Sequence, residues 1–253
     1  MKDLIDTHRD NYDYLVGTFR DFDGQISFLD KLFKKHNVRT ILDCGCGTGT
    51  HAILLAKKGY VISAFDYSKH MIDIAKEKAS KNNVKITFYR GDIRKFNLGK
   101  YDAVISLFAP IMFACKNDTD LKSAISSMYD STNTDGICLF ETCTSAMLKG
   151  SGLEINKYAK KDFKVVRLAF YDFNPKRRSA KVRYVEVTSK GNKLKIDESE
   201  AEHKYYDKNT FEKIFKELKI KDTVFYGGFN TKNKRYDLFA NNNGLITPMF
   251  IKK

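Results

Sequence analysis

Three glycines alternate at positions 45, 47 and 49 within Ile41-Leu42-Asp43-Cys44-Gly45-Cys46-Gly47-Thr48-Gly49-Thr50, and a carboxylate stands two residues ahead of the first. Glycine tolerates positive φ and has no Cβ to hold a ligand away from the backbone. The spacing therefore predicts a tight turn between a buried strand and a helix whose first amides are unpaired. This order is how an α/β sheet holds an adenosine-containing cofactor. A dinucleotide-binding turn reads G-x-G-x-x-G, whereas here Thr50 occupies the place of the last glycine. Asp43 sharpens the choice. A carboxylate beside a pyrophosphate suffers like-charge repulsion, but beside an ammonium or sulfonium group it is stabilising. The carboxylate thus argues for a cationic group at the turn and against a pyrophosphate.

On these residues the chain resembles the class I S-adenosylmethionine-dependent methyltransferases at their first motif, Asp43, Gly45, Cys46 and Gly47 taking the motif's positions. The resemblance implies S-adenosyl-L-methionine as cofactor, S-adenosyl-L-homocysteine as product, and further landmarks in a fixed order. Val61-Ile62-Ser63-Ala64-Phe65 reads as a strand ending in Asp66, about twenty residues past the glycines, where such folds place the ribose-binding acid. Ser68 reads as an N-cap, and Tyr67 and Met71 are placed to flank the adenine. The alternating Val84–Tyr89 leads to Gly91-Asp92-Ile93, an acid for the adenine amino group and a backbone amide for a ring nitrogen. Leu107, at the end of a fourth strand, completes the expected cofactor set. Taken singly, Asp66 is equally a helix-start residue and Asp92 a turn residue; their register on three successive strands is what carries the argument.

The elements that must hold these residues follow from periodicity. Residues 3–37 predict two amphipathic helices, the second burying Ile26, Leu29, Leu32 and Phe33. Strands are expected at 40–44, 60–66, 84–89, 101–107 and 137–142, with a helix over 118–131 and a turn at Asp135-Gly136. Strands alternating with helices predict an α/β, Rossmann-like, doubly wound parallel sheet. Residues 163–172, 179–189 and 193–205 read instead as an antiparallel β-meander, inserted after strand five and occupying 160–205. It is expected over the carboxyl edge of the sheet as a substrate cover, or as the surface of a homodimer. A last helix at 208–219 precedes strands at 223–229 and 235–240. In the resembled fold these complete seven strands, the final one inserted antiparallel. The expected organisation is a single domain over 1–253, with 1–37 as a helical cap.

Composition sets bounds. The 253 residues are 42% hydrophobic, enough for one substantial core. No run of about eighteen apolar residues and no secretory signal occurs, so a soluble, cytoplasmic protein without membrane contact is expected. Five cysteines suit reduced thiols, and no Cys or His pair stands at ligand spacing, so no metal is expected. The net charge of +14 invites a nucleic-acid partner. The lysines, however, are scattered along helices and loops, as on an ordinary solvated surface.

Tyr12-Asp13-Tyr14-Leu15, Ser106-Leu107-Phe108-Ala109-Pro110-Ile111-Met112-Phe113 and Glu202-His203-Lys204-Tyr205-Tyr206 narrow the resemblance. They are similar to segments of small-molecule N-methyltransferases that dimethylate amino sugars, and more loosely of glycine N-methyltransferase. The chain departs from that group after strand five, where Glu141-Thr142-Cys143 replaces a Glu-Pro-Trp-like run, which leaves the acceptor open. Asn-Pro-Pro-Tyr, the mark of amino-methylation on nucleic-acid bases, is absent after strand four. The implied acceptor is a small-molecule amine. Tyr12 and Tyr14 are candidates to hydrogen-bond the amine or orient the methyl group, or else to pack on the sheet edge. His203, near neutrality when unperturbed, is the candidate proton acceptor, with a structural role as the alternative. Glu141 is a candidate for holding a cationic substrate, or an N-cap, and Phe108, Met112 and Phe113 line the pocket or the core. An RNA or protein methyltransferase using Lys176, Arg177 and Arg178, and a cofactor-binding regulator without turnover, are the competing readings.

Overall fold

In the computed structural model, residues 11–18, 20–108, 110–149, 152–230, 232, 235–238 and 244–253 are described. The chain divides into two compact units. One is formed by Asp23–Met147 with Lys204–Lys253, the other by the described residues of Met1–Phe22 with Leu148–His203.

After a short helix α1 (Tyr12–Val16) in the smaller unit, the larger unit runs α2 (Phe22–Lys35), β1 (Thr40–Cys44), α3 (Thr50–Lys57), β2 (Val61–Asp66), α4 (Lys69–Lys81), β3 (Ile86–Arg90) and β4 (Tyr101–Ser106). It continues with α5 (Pro110–Ala114), α6 (Asp118–Asp130), β5 (Thr132–Phe140) and the two-residue β6 (Thr142–Cys143). The smaller unit holds β7 (Leu153–Lys160), β8 (Phe163–Asn174), β9 (Ser179–Lys190) and β10 (Lys193–Lys204). The chain then returns through α7 (Lys208–Glu217), β11 (Thr223–Asn230), β12 (Arg235–Leu238) and β13 (Leu245–Ile251).

The large sheet has the order β12-β11-β13-β5-β4-β1-β2-β3, with β6 paired to β13. β5, β4, β1, β2 and β3 are parallel, as the α/β periodicity requires. Successive residues of a strand point to opposite faces, and both faces are covered. Ile41, Ala103, Ile105, Ile137 and Leu139 meet Ile26, Leu29 and Phe33 of α2. Leu42, Val104, Cys138 and Phe140 meet Leu121 and Ile125 of α6 and Phe211 and Phe215 of α7. No helix among the described residues is long and apolar enough to cross a membrane.

The structure corrects several sequence expectations. The antiparallel strand inserted beside β5 is Leu245–Ile251, not 235–240: Met249 pairs with Leu139 and Phe250 with Cys138, while β12 only extends the edge as a hairpin partner of β11. Asp135-Gly136 does not precede strand five but interrupts it. Asp135 sits at φ 59°, and the pairing jumps from Tyr101↔Thr132 to Ala103↔Ile137, a bulge within a strand that begins at Thr132. The meander has four strands, because Leu153–Lys160 pairs along its whole length with β8. Part of the first predicted helix falls in residues 1–10, outside the described residues.

Candidate active site

β1 delivers Asp43 and Cys44 to the carboxyl edge of the parallel sheet, and the chain turns at once. Gly45, Gly47 and Gly49 all lie in the left-handed region, at φ 75°, 55° and 77°. The turn is pinned to the next strand, since Gly45 N and Cys46 N both donate to Phe65 O, at 2.8 and 2.9 Å. A Cβ on Gly45 would stand 2.5 Å from Pro110 Cβ, so glycine is required there by space as well as by φ. Gly47 differs: a Cβ there would meet nothing within 4 Å, so its backbone faces open space. On the outer side, Lys78 of α4 donates to the hydroxyls of Thr48 and Thr50 at 3.1 and 3.0 Å.

Two carboxylates flank this opening. Asp66, at the end of β2, accepts from Gly47 N on Oδ2 and from Ser68 N on Oδ1, both at 2.9 Å. Burial raises its pKa, against the pull of the Ser68, Gly47 and Tyr67 amides. Asp43 is only 3% exposed, and among the described residues no hydrogen-bond donor or cation acts on its carboxyl. Burial, and then the charge of Asp66, push its pKa up to about 7. A buried carboxylate beside a second one is stable as an anion only if a cation joins it. An open glycine turn flanked by two such acids fits a cationic nucleoside such as S-adenosylmethionine.

The other predicted cofactor residues lie along the same edge. Tyr67 is 63% exposed and its carbonyl accepts from Arg90 Nε, while Met71 is buried beneath the Ser68 cap. Asp92 follows β3 and is gripped by Arg94, whose Nη2 reaches Oδ2 at 2.6 Å. Ile93 and Leu107 are buried. After β4 the backbone is strained, because Phe108 takes φ 65°, an uncommon value for a bulky side chain. Met112 is buried on α5 and Phe113 half-buried. Glu141, 1% exposed, caps the same edge with its N–H donating to Ser106 O at 2.8 Å. Around it the hydroxyls of Ser106 and Thr142 are buried without a hydrogen-bond partner.

Tyr12, Tyr14 and His203 belong to the smaller unit. Tyr14 packs its ring 4.9 Å from that of Tyr158 and 5.0 Å from that of Phe163. His203 is buried on β10, its Nε2 2.9 Å from the Tyr184 hydroxyl. Tyr12 is half-buried in α1. Nearby, Glu186 on β9 is fully buried, taking a hydrogen bond from Asn11 at 2.6 Å and an ion pair from Arg167 at 3.3 Å. Sequence reasoning passed over Lys78, Arg94, Ser106 and Thr142. Of these only Arg94 carried a signal, the Asp-x-Arg spacing that permits a bidentate pair across a turn. No group of three or more metal-binding side chains is gathered among the described residues.

Sheet order, glycine turn and acids at the ends of β1 and β2 together define the fold of the class I S-adenosylmethionine-dependent methyltransferases. Residues 41–136 match the methyltransferase domain family. Glycine/sarcosine N-methyltransferase of Parasynechococcus marenigrum (strain WH8102) is 27% identical over 176 residues, 65% of this chain and 61% of that protein. dTDP-3-amino-3,4,6-trideoxy-alpha-D-glucopyranose N,N-dimethyltransferase of Streptomyces venezuelae is 28% identical over 138 residues, 53% of this chain and 56% of that protein. The chain thus spans 50% to 61% of the length of these and a further curated relative. Among solved structures, an S-adenosylmethionine-dependent methyltransferase from Clostridium acetobutylicum ATCC 824 superposes with a TM-score of 0.81 at 20% identity, covering 96% of this chain and 97% of that one. Streptomyces venezuelae DesVI gives 0.80 at 18%, covering 97% and 98%.

Proposed function

We propose that this protein transfers a methyl group from S-adenosyl-L-methionine to a small-molecule amine. The observation that carries the reading is the unpartnered, buried carboxyl of Asp43 beside an open left-handed glycine turn, with Asp66 facing it. When bound, the cofactor supplies a methyl carbon activated by sulfonium for in-line displacement. The chain's own residues bind, orient and deprotonate. Asp43 supplies the negative charge that a cationic ligand needs, and the Asp66 carboxylate receives the ribose hydroxyls. Tyr67 and Met71 hold the base, with Asp92 and the Ile93 amide reading its edge. Leu107 closes the cofactor's apolar side.

For the acceptor, Glu141 provides a buried negative charge suited to an ammonium, and Phe108, Met112 and Phe113 exclude water. Tyr12 and Tyr14 are assigned the orientation of the amine and His203 the uptake of its proton, since an amine must be unprotonated to attack. Orientation alone contributes on the order of 7–11 kcal/mol to such reactions, so no nucleophilic triad is needed. The amine class is supported by the names of the two relatives above, which act on glycine or sarcosine nitrogen and on an amino sugar.

The test is transfer of labelled methyl from S-adenosylmethionine into a panel of amino sugars, amino acids and polyamines, read by mass. Label in any of them supports the reading, and label in none, with the cofactor bound, refutes the amine. The net charge of +14 makes RNA the second acceptor class to test. RNA binding whose affinity falls steeply between two salt concentrations, together with label in RNA, would establish it instead.

A further inference from the structure

The carboxylate of Asp92 does not stand free after β3. Arg94 folds back over it, donating from its backbone N to Oδ1 at 2.9 Å, from Nε to Oδ1 at 3.0 Å and Oδ2 at 3.2 Å, and from Nη2 to Oδ2 at 2.6 Å. The fork is itself tethered to α6. Ser127 donates its hydroxyl to Arg94 O at 3.3 Å, and Asp120 in the first turn lies 3.9 Å from Nη1. A bridge between Asp92 and Lys95 closes the turn beneath.

We propose that Arg94 is a positioning residue for nucleobase recognition, holding the Asp92 carboxylate in one orientation as an acceptor and making the site select a 6-aminopurine over a 6-oxopurine. The proposal rests on the reading of this edge as the nucleoside site. An ionised carboxylate offers about four acceptor positions and no donor. Three N–H groups of Arg94 occupy most of them, which leaves Asp92 able to accept once more. An exocyclic amino group fills that place, whereas a 6-oxo carbonyl brings a second acceptor and is repelled. A free aspartate is ionised at neutral pH in any case, so what the Arg94 fork adds is orientation. The Arg94 fork holds the Asp92 carboxyl below the usual carboxylate range. A bidentate guanidinium also fixes the plane of the carboxylate, which a lysine cannot do.

The pair is no stability device. The Arg94 side chain is 39% and the Asp92 side chain 30% exposed, and ion pairs in that setting add little to folding. Arg94→Met should therefore fold with an unchanged melting temperature.

Calorimetry with S-adenosylhomocysteine and its 6-oxo counterpart S-inosylhomocysteine tests the proposal on the wild type, Arg94→Met and Arg94→Lys. The wild type should prefer the amino compound by roughly 10- to 100-fold, the range for one hydrogen bond to a charged group. In Arg94→Met the preference should fall to a few-fold, on the order of a single weakened contact, and Arg94→Lys should fall between. A Met variant that keeps the wild-type preference overturns the proposal. If the Met variant does not fold, the Lys variant decides, since charge without the fork must lower the preference. A wild type that binds neither compound overturns the nucleoside-site reading instead, and one that binds both equally overturns the Asp92 contact on which selection depends.

Discussion

Replacing Asp43 by Asn probes the physical basis of the site directly. In the folded protein the Asp43 carboxyl is buried, and its pKa rises from 3.8 to about 7, first by burial and then by the Asp66 charge. One pKa unit corresponds to about 1.36 kcal/mol, so ionising Asp43 in the ligand-free fold costs at most about 4 kcal/mol at pH 8. The folded state holds this proton more tightly than the unfolded chain does. Below pH 3.8 both states are protonated and the group has no effect; between 3.8 and 7 stability falls as pH rises; above 7 the full cost is present. Asparagine keeps the shape and cannot ionise. Urea unfolding without cofactor should therefore find Asp43→Asn more stable than the wild type at pH 8, by up to about 4 kcal/mol. The gap should close as pH approaches 4. Asp66, raised in the same direction, is present in both proteins. Calorimetry should show the opposite ranking for S-adenosylhomocysteine, because its ammonium loses its counter-charge. A stability gap equal at pH 4.5 and pH 8 would refute the argument, as would wild-type affinity in the variant.

Asp66→Ala deletes the acceptor of two backbone amides, Gly47 N and Ser68 N, together with the ribose contact. S-adenosylhomocysteine affinity should drop by about 1.5–3 kcal/mol, and an unchanged dissociation constant would mean the ribose lies elsewhere. Gly45→Ala forces a side chain into φ 75° and to within 2.5 Å of Pro110, so thermal unfolding should show a loss of about 1–3 kcal/mol. A neutral result there would show that the turn relaxes freely. His203→Ala should lower turnover on the order of a hundredfold with cofactor affinity intact, whereas unaltered turnover would leave His203 as a packing partner of Tyr184.

What the sequence disclosed depended on how local each determinant was. Asp43 and the glycine turn are set within the single unit β1-turn-α3, and Asp66 and the Ser68 cap within β2-turn-α4, and each appears where spacing put it. Asn117 caps α6 by accepting from Asp120 N at 2.8 Å, so that helix too was legible. The inserted strand Leu245–Ile251 was not, because Ile246 through Phe250 form a short apolar run containing Pro248, and proline within a run argues against a strand. Its partners settle the matter: β11 flanks it on one side and β5 on the other, and Leu139 of β5, the partner of Met249, lies over a hundred residues away in the chain. The bulge at Asp135 was misread for the converse reason. Asp-Gly signals a turn locally, and only the parallel pairing of Thr132 with Tyr101 of β4 shows that the strand has already begun ahead of it.

The cofactor edge gathers features that each work against folding. Phe108 sits at positive φ, Asp43 and Asp66 are buried against one another, and Ser106 and Thr142 bury unpaired hydroxyls. None of these could be weighed from the sequence, since each depends on what surrounds the residue and not on its type. Elsewhere in the large unit most local rules hold, Pro248 and the Asp135 bulge apart, with apolar residues alternating between two covered faces and helices capped by Ser68 and Asn117. Local conflict concentrated at one edge of a fold that is largely consistent elsewhere is what a binding site requires. The well-packed sheet supplies the stability that lets Asp43 remain a carboxylate where an asparagine would fold better, and a cation arriving at that edge relieves the cost and gains affinity from it.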